Sequence, residues 1–235
     1  MKSSKWNALG NVYLLVERAE PLTPELAREL SLDTDGVLEV LAGDDVRVWN
    51  PDGSVAEMSG NGARIAAAWL ARKRGTNRVA LRVGERAVTA TVDGDSVVLD
   101  AGRTEVGETE RLEVDGDEIE FNPVSVGNPH AVIRHDPGDV RRLGPQVENH
   151  SRFPERTNVQ LVRVDGPHDL TVGVWERGAG ETLSSGTSSV AAAAAAIANG
   201  WCESPVTVHL AGGDLLVEID EKGEARLTGP VVELA

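Results

Sequence analysis

The feature that most constrains this chain is an internal repeat. A strand, a glycine-rich turn and an alanine-rich helix occur first over residues 46–68 and again over residues 172–194, so adding 126 gives the counterpart of each position. The same offset carries Ser59 onto Ser185. Because a repeated sequence unit folds into a repeated structural unit, the chain is predicted to contain two versions of one fold.

Each copy places a helix directly after a glycine-rich turn. The two long helices are expected over residues 60–73 and 186–198, with Ser59 and Ser185 immediately before them. The N–H groups of a first helical turn have no partner within the helix and lie at its positive end, so they suit a carboxylate. Pseudo-two-fold symmetry predicts that both helix N-termini lie near a cleft between two lobes.

The fold class predicted from these elements is α/β, with two pseudo-symmetric lobes, each a curved and mostly antiparallel sheet wrapped around a central helix. The charged, turn-rich segment 103–117 predicts the lobe boundary. The lobes are then residues 1–112, with the return of the C-terminal strand 226–235, and residues 113–225. Strands are expected at 11–17, 37–41, 45–49, 78–83, 87–92, 96–100, 131–133, 158–164, 170–176, 206–210, 214–219 and 225–227, and a further helix begins at Pro24.

Composition excludes several classes of partner. The formal net charge of −15 predicts repulsion from nucleic acid and from anionic membranes. Cys202 is the single cysteine, so an intrachain disulfide and a cysteine-rich metal site are excluded, and no metal or cofactor is expected. The N-terminal 20 residues do not resemble a signal peptide, and the apolar run 190–198 is too short to span a bilayer. We expect a soluble, cytoplasmic protein with a small-molecule partner.

Five motifs occur in order along nearly the whole chain, and together they are highly specific. They are Asn-Pro-Asp-Gly-Ser (50–54) with Met-Ser-Gly-Asn-Gly-Ala-Arg (58–64), Gly-Asn-Pro-His (127–130), Phe-Pro-Glu-Arg-Thr-Asn-Val (153–159) and Glu-Arg-Gly-Ala-Gly-Glu-Thr (176–182). These motifs resemble those of the diaminopimelate epimerase family. The resemblance implies a cofactor-independent enzyme that inverts the α-carbon of LL-diaminopimelate to give the meso form in lysine and cell-wall synthesis.

The family's reaction needs an acid and a base on opposite faces of the α-carbon. The resemblance implies a cysteine in each role, but this chain has Ser59 and Ser185 in the two places. A serine hydroxyl needs an adjacent base to take its proton. His130 and Glu176 match motif positions and are the candidate bases; alternatively, His130 caps a turn and Glu176 pairs with Arg177.

The remaining motif residues are assigned to substrate binding by the resemblance. Arginine offers a bidentate fork to a carboxylate, and an asparagine oxygen accepts from an ammonium group. The backbone N–H groups at the two helix starts are expected to hold the reacting carboxylate and to stabilise the carbanion's enediolate charge. The distal amino-acid end is assigned to Asn50, Asn128, Asn158 and Arg177, the same cleft to Asn11, and the reacting carboxylate to Gly60, Asn61, Gly186 and Thr187.

Other functions remain open from the sequence. One alternative is a related racemase, isomerase or dehydratase of the same fold that acts on another amino acid. Another is a non-catalytic protein that binds diaminopimelate without turning it over, and a third is that the two serines were introduced to trap a complex. The motifs favour a homodimer.

Overall fold

The chain folds into two compact units. The first unit contains residues 1–100 and 228–235, and the second contains residues 101–227. This boundary precedes the one expected at residue 112, because the charged segment 103–117 itself contains two strands of the second unit, Glu105–Val106 and Glu110–Val114. The computed structural model describes residues 2–41, 44–56 and 58–234.

None of the described helices of either unit is long and apolar enough to cross a membrane.

The first unit is built mainly from strands around one long helix. Its elements are β1 (Lys2–Ala8), β2 (Asn11–Glu17), α1 (Pro24–Leu30), β3 (Gly36–Val40), β4 (Asp45–Trp49), β5 (Val55–Ala56), α2 (Gly60–Arg74), β6 (Arg78–Val83), β7 (Arg86–Asp93) and β8 (Ser96–Arg103).

The second unit repeats this order of elements. The last strand of the chain returns to the first unit, where it pairs with β1. The elements are β9 (Glu105–Val106), β10 (Glu110–Val114), β11 (Asp117–Ser125), β12 (Pro129–Arg134), α3 (Val140–Glu148), β13 (Asn158–Gly166), β14 (Asp169–Glu176), β15 (Gly180–Glu181), α4 (Gly186–Ala198), β16 (Val206–Leu210), β17 (Gly213–Ile219), β18 (Glu224–Pro230) and β19 (Val232–Leu234).

Strand pairing within each unit follows one pattern. In the first unit, β2 and β3 are parallel, β3 and β4 antiparallel, and β4 and β6 parallel. In the second unit, β12 and β13 are parallel, β13 and β14 antiparallel, and β14 and β16 parallel. Parallel neighbours require a crossover, which helices α1 and α2 supply in one unit and α3 and α4 in the other. The predicted duplication is therefore confirmed.

The two central helices begin where the sequence predicted. Helix α2 contacts strands β1–β4, β6 and β7, and helix α4 contacts β11–β14, β16 and β17. The helices can pack closely against the strands because their side chains at the contact are mostly alanine. In α4, Ala191 to Ala196 are all buried. Both helices start from a serine N-cap, Ser59 for α2 and Ser185 for α4. An N-cap oxygen satisfies one of the N–H groups that a helix leaves without a partner.

Several elements were not predicted from the sequence, among them the strands β5, β9, β10 and β15. Strand β1 has the polar sequence Lys-Ser-Ser-Lys-Trp-Asn-Ala and buries only Trp6 and Ala8. Strand β11 was also missed, as was helix α3, which contains Pro145, a residue that usually ends a helix. In α3 a β-carbon at Gly144 would lie 2.6 Å from the Trp175 ring, so the missing side chain lets α3 approach β14.

Candidate active site

Ser59 lies at the first helix start with two partners. Its Oγ accepts a hydrogen bond from the Gly62 N–H at 3.0 Å, and the Tyr13 hydroxyl lies 3.5 Å from the same atom. A β-carbon at Gly62 would lie 2.8 Å from Leu38 Cδ2 and 3.3 Å from Ser59 Oγ, so glycine is needed for this close approach. Ser59 is half-buried, as is Tyr13. The hydroxyl of Ser59 is therefore held by the helix and adjacent to a phenol.

A buried arginine lies one turn further along α2. Arg64 is fully buried, and its Nη2 donates to Asn61 Oδ1 at 2.8 Å. Its Nε and Nη1 atoms have no hydrogen-bond partner among the described residues. Burial lowers the pKa of the guanidinium to about 10, and attraction to a Tyr13 phenolate acts in the opposite direction. A positive charge is thus held close to Asn61, one of the predicted carboxylate-binding residues.

Ser185 lies at the second helix start and is paired with a carboxyl group. It is 4% exposed, and its Oγ accepts from the Ser188 N–H at 3.4 Å. The Glu176 carboxyl, at the end of β14, has its pKa raised by burial, while a hydrogen bond with the Ser185 side chain acts in the opposite direction. A raised pKa makes this carboxylate a stronger base than an exposed glutamate. The structure thus brings together Ser185 and Glu176, one of the two candidate bases.

His130 lies on β12 and is held neutral. Its Nε2 donates to Asn128 Oδ1 at 2.9 Å, and its Nδ1 is buried without a hydrogen-bond partner among the described residues. Burial lowers the His130 pKa to about 3, and the positive charge of Arg177 adds to that effect. The neighbouring Gln160 side chain opposes the shift, although its Oε1 makes no well-formed hydrogen bond. A histidine with this pKa is a weak base at neutral pH.

We expect the His130 imidazole to stay neutral from pH 8 down to pH 4. Its pKa of about 3 is below the usual value of about 6.5, so the unfolded chain takes up a proton that the folded chain does not. This contribution lowers the free energy of unfolding as the pH falls from about 6.5 towards 3, and it vanishes above 6.5. Imidazole NMR titration tests this, with the His130 signal assigned by its loss in His130→Gln.

His209 is the internal control in that titration. Hydrogen bonds to Asp214 and Asp169 raise its pKa, so its imidazole signal should move at a pH above 6.5 in the same sample. A His130 signal that moves near pH 6.5 would contradict the buried, neutral state.

The loop that carries Arg177 is fixed by two side chains. Asn158 accepts from the Arg177 backbone N–H at 3.0 Å and donates to the Pro129 carbonyl at 2.9 Å. Buried Glu148 of α3 accepts from the Gly178 N–H at 2.8 Å and from Trp175 Nε1 at 2.7 Å. The sequence did not identify Glu148, whose helix it also missed. Asn158 therefore ties the Gly-Asn-Pro-His motif to the arginine loop.

The predicted binding residues of the first unit occupy three local structures. Asn50 is in a turn, where its Nδ2 donates to Ser54 Oγ at 2.9 Å and its carbonyl accepts from the Gly53 N–H. Asn11 is buried at the start of β2, and Gly60 and Asn61 are buried in the first turn of α2.

The counterparts in the second unit lie at two places. Asn128 immediately precedes β12, while Gly186 and Thr187 form the first turn of α4, directly after Ser185. Among residues 2–41, 44–56 and 58–234, no group of three or more histidine, cysteine, aspartate or glutamate side chains is placed to hold a metal ion.

Solved structures identify the fold. A hydroxyproline epimerase from Agrobacterium vitis, with bound trans-4-hydroxy-L-proline, matches with a TM-score of 0.70 over 99% of this chain and 90% of its own, at 15% identity. A phenazine biosynthesis protein from Enterococcus faecalis matches with a TM-score of 0.72 over 99% and 96%, at 11% identity. The fold is that of epimerases, racemases and phenazine biosynthesis proteins.

Sequence comparison identifies the family within this class. The family model described as diaminopimelate epimerase matches residues 4–106 and 123–234. The diaminopimelate epimerase of Desulfitobacterium hafniense is 38% identical over 270 residues, which covers 98% of this chain and 95% of the relative. That of Pseudomonas entomophila is 36% identical, with coverage of 100% and 97%. The chain belongs to the diaminopimelate epimerase family.

Proposed function

We propose that this protein is an isomerase that converts LL-diaminopimelate to meso-diaminopimelate in lysine biosynthesis, by proton transfer between two groups and without a cofactor. The observation that carries the proposal is the pairing of Ser185 with Glu176 at a helix start, in a chain that diaminopimelate epimerases match over its full length. Ser59 supplies the equivalent group at the start of α2.

The reaction removes the α-proton on one face and returns a proton on the other. When Ser185 acts as the base, its Oγ takes the α-proton while its hydroxyl proton passes to the Glu176 carboxylate. The electron pair of the broken C–H bond moves into the α-carboxylate as an enediolate. Ser59 then donates its hydroxyl proton to the α-carbon. The reverse reaction exchanges the two roles.

Helix N-termini support the charge that develops on the substrate. Gly60 and Asn61 in α2, and Gly186 and Thr187 in α4, lie in the first turn of their helices, where the backbone N–H groups point out of the positive end of the helix. Donors fixed in this way need no reorganisation when the enediolate forms, which is the largest single effect in many enzymes. We assign these groups to the reacting carboxylate.

The distal amino-acid end is assigned to Arg177 and the three asparagines Asn50, Asn128 and Asn158. Asn11 is assigned to the same substrate. Asn158 fixes the backbone of Arg177, so it acts partly through that residue. His130 is neutral and bonded to Asn128, so we assign it to positioning Asn128 and keep Glu176 as the base partner of Ser185.

The test is α-proton exchange and epimerisation in D₂O. With LL-diaminopimelate we expect loss of the α-proton signal and formation of the meso isomer, followed by NMR and chiral chromatography. Lysine lacks the distal carboxylate, so the kcat/KM for exchange should be lower by about tenfold or more, the effect of one charged hydrogen bond of roughly 1.5–3 kcal/mol. Exchange with proline but not with diaminopimelate would favour the related racemase, and binding without exchange would favour a binding protein.

Assembly and location complete the proposal. We propose a homodimer in the cytoplasm, as the motifs favour, and sedimentation equilibrium of the purified protein measures the mass of the assembly directly.

A further inference from the structure

We propose that Tyr13 is the proton-relay partner of Ser59, the counterpart in the first unit of Glu176 beside Ser185. This inference rests on the proposed function and adds a residue to it, because neither candidate base considered from the sequence was assigned to Ser59. In this role Tyr13 acts through the serine, so it is a positioning residue.

The backbone fixes the Tyr13 ring next to Ser59. Tyr13 is in β2, where it pairs with Gly36 of β3 in parallel register. A β-carbon at Gly36 would lie 3.1 Å from Tyr13 Cε1, so the ring occupies space that only glycine leaves open. The hydroxyl then lies 3.5 Å from Ser59 Oγ. Catalytic hydrogen bonds are often this long before substrate binds, and they shorten in the complex.

Arg64 supplies the electrostatic reason for a phenol at this place. Its guanidinium is fully buried, and two of its three nitrogens lack a hydrogen-bond partner among the described residues. An unpaired buried charge is strongly unfavourable, so a nearby group that becomes negative relieves it. The attraction between Arg64 and a Tyr13 phenolate is mutual: it stabilises both charges.

The proton transfers balance in both directions. When Ser59 is the base, its Oγ forms a bond to the α-proton as its own hydroxyl proton moves to the Tyr13 phenolate, and the substrate electron pair goes to the enediolate. When Ser59 is the acid, its proton goes to the α-carbon and the Tyr13 phenol returns a proton to Oγ. No oxidant, metal or additional reactant is required.

The contact can be measured without turnover, because Tyr13 is the single tyrosine in the chain. In protein labelled with ¹³C at the tyrosine ζ-carbon, one NMR signal reports on the phenol oxygen. Ser59→Ala should change the chemical shift of this signal, because the Tyr13 hydroxyl loses the neighbouring Ser59 hydroxyl. Ser31→Ala is the matched control: this serine of the same unit donates to the Ala27 carbonyl, so the signal should stay in place. A signal that is unchanged in Ser59→Ala would overturn the proposal.

The relay itself is tested by kinetics in two backgrounds. Tyr13→Phe keeps the ring against Gly36 and should lower kcat for diaminopimelate by about tenfold or more, with an unchanged Kd. In Ser59→Cys the same substitution should change kcat by less than about twofold, because a thiol at a helix N-terminus loses its proton without a partner. Equal losses in both backgrounds would show a structural role and overturn the relay.

The two proposals fail in different ways. If neither the Ser59 protein nor its Ser59→Cys variant exchanges the α-proton of diaminopimelate, the proposed function is wrong, and the NMR comparison decides the Tyr13–Ser59 pair separately. If the Ser59 protein turns over and Tyr13→Phe has the same kcat, the function stands and the relay is wrong.

Discussion

Replacing both serines by cysteine should raise the turnover of diaminopimelate by about a hundredfold or more, the range typical of a well-matched general acid and base. A thiol at a helix N-terminus has a pKa low enough to be ionised near neutral pH, whereas a serine hydroxyl requires a partner to remove its proton. The variant is Ser59→Cys with Ser185→Cys, measured by α-proton exchange and by formation of the meso isomer.

Single replacements and a control variant distinguish the rate gain of the paired cysteines from an effect of any added thiol. Ser59→Cys or Ser185→Cys alone should help little, because inversion needs a competent group for each face of the α-carbon. Ser31→Cys is the control for an added thiol, since that residue is buried in the same unit and takes no part in the proposed chemistry. A double variant no faster than the natural protein would show that the serines do not occupy the roles that the resemblance gives to cysteine.

The same double variant should be less stable. Ser59 and Ser185 both accept a hydrogen bond from the first turn of their helices, at 3.0 Å and 3.4 Å. Cysteine sulfur is a weak acceptor, so each replacement weakens a cap whose loss costs about 0.5–2 kcal/mol. A gain in rate together with a loss of stability agrees with the usual conflict between catalytic groups and structural ones.

Local sequence signals located the starts of both central helices. The repeat and the glycine-rich turns put Ser59 and Ser185 before helices that begin at Gly60 and Gly186, and both serines are N-caps. Serine is among the strongest N-cap residues, so a helix start is set by a few neighbouring positions. Glu176 was identified as a candidate base from its motif, but its pairing with Ser185 in particular was not predicted.

Residues that depend on contacts distant in sequence were not predictable. Glu148 holds the arginine loop from a helix that contains Gly144 and Pro145, and those residues argue against a helix when read alone. The presence of a glycine in this helix is explained only by the packing of Gly144 against Trp175. Tyr13 lies 46 residues before Ser59 along the chain, and the packing of α2 against β2 brings the two together.

Removing either serine hydroxyl should lower the kcat for epimerisation by about a hundredfold or more. Each face of the α-carbon has its own proton-handling group in the proposed reaction, so neither serine can replace the other. Ser59→Ala and Ser185→Ala also remove an N-cap, however, and a loss of rate in these variants combines a chemical effect with a structural one.

Glycine separates the two effects. Glycine at an N-cap lowers stability by only a few tenths of a kcal/mol relative to serine, so Ser59→Gly and Ser185→Gly keep the helix starts while removing the hydroxyl. We expect these variants to unfold at nearly the natural temperature, to bind diaminopimelate and to lose epimerisation as completely as the alanine variants do. Substantial epimerisation by either glycine variant would mean that its serine serves only as a cap, and that another group handles the proton on that face.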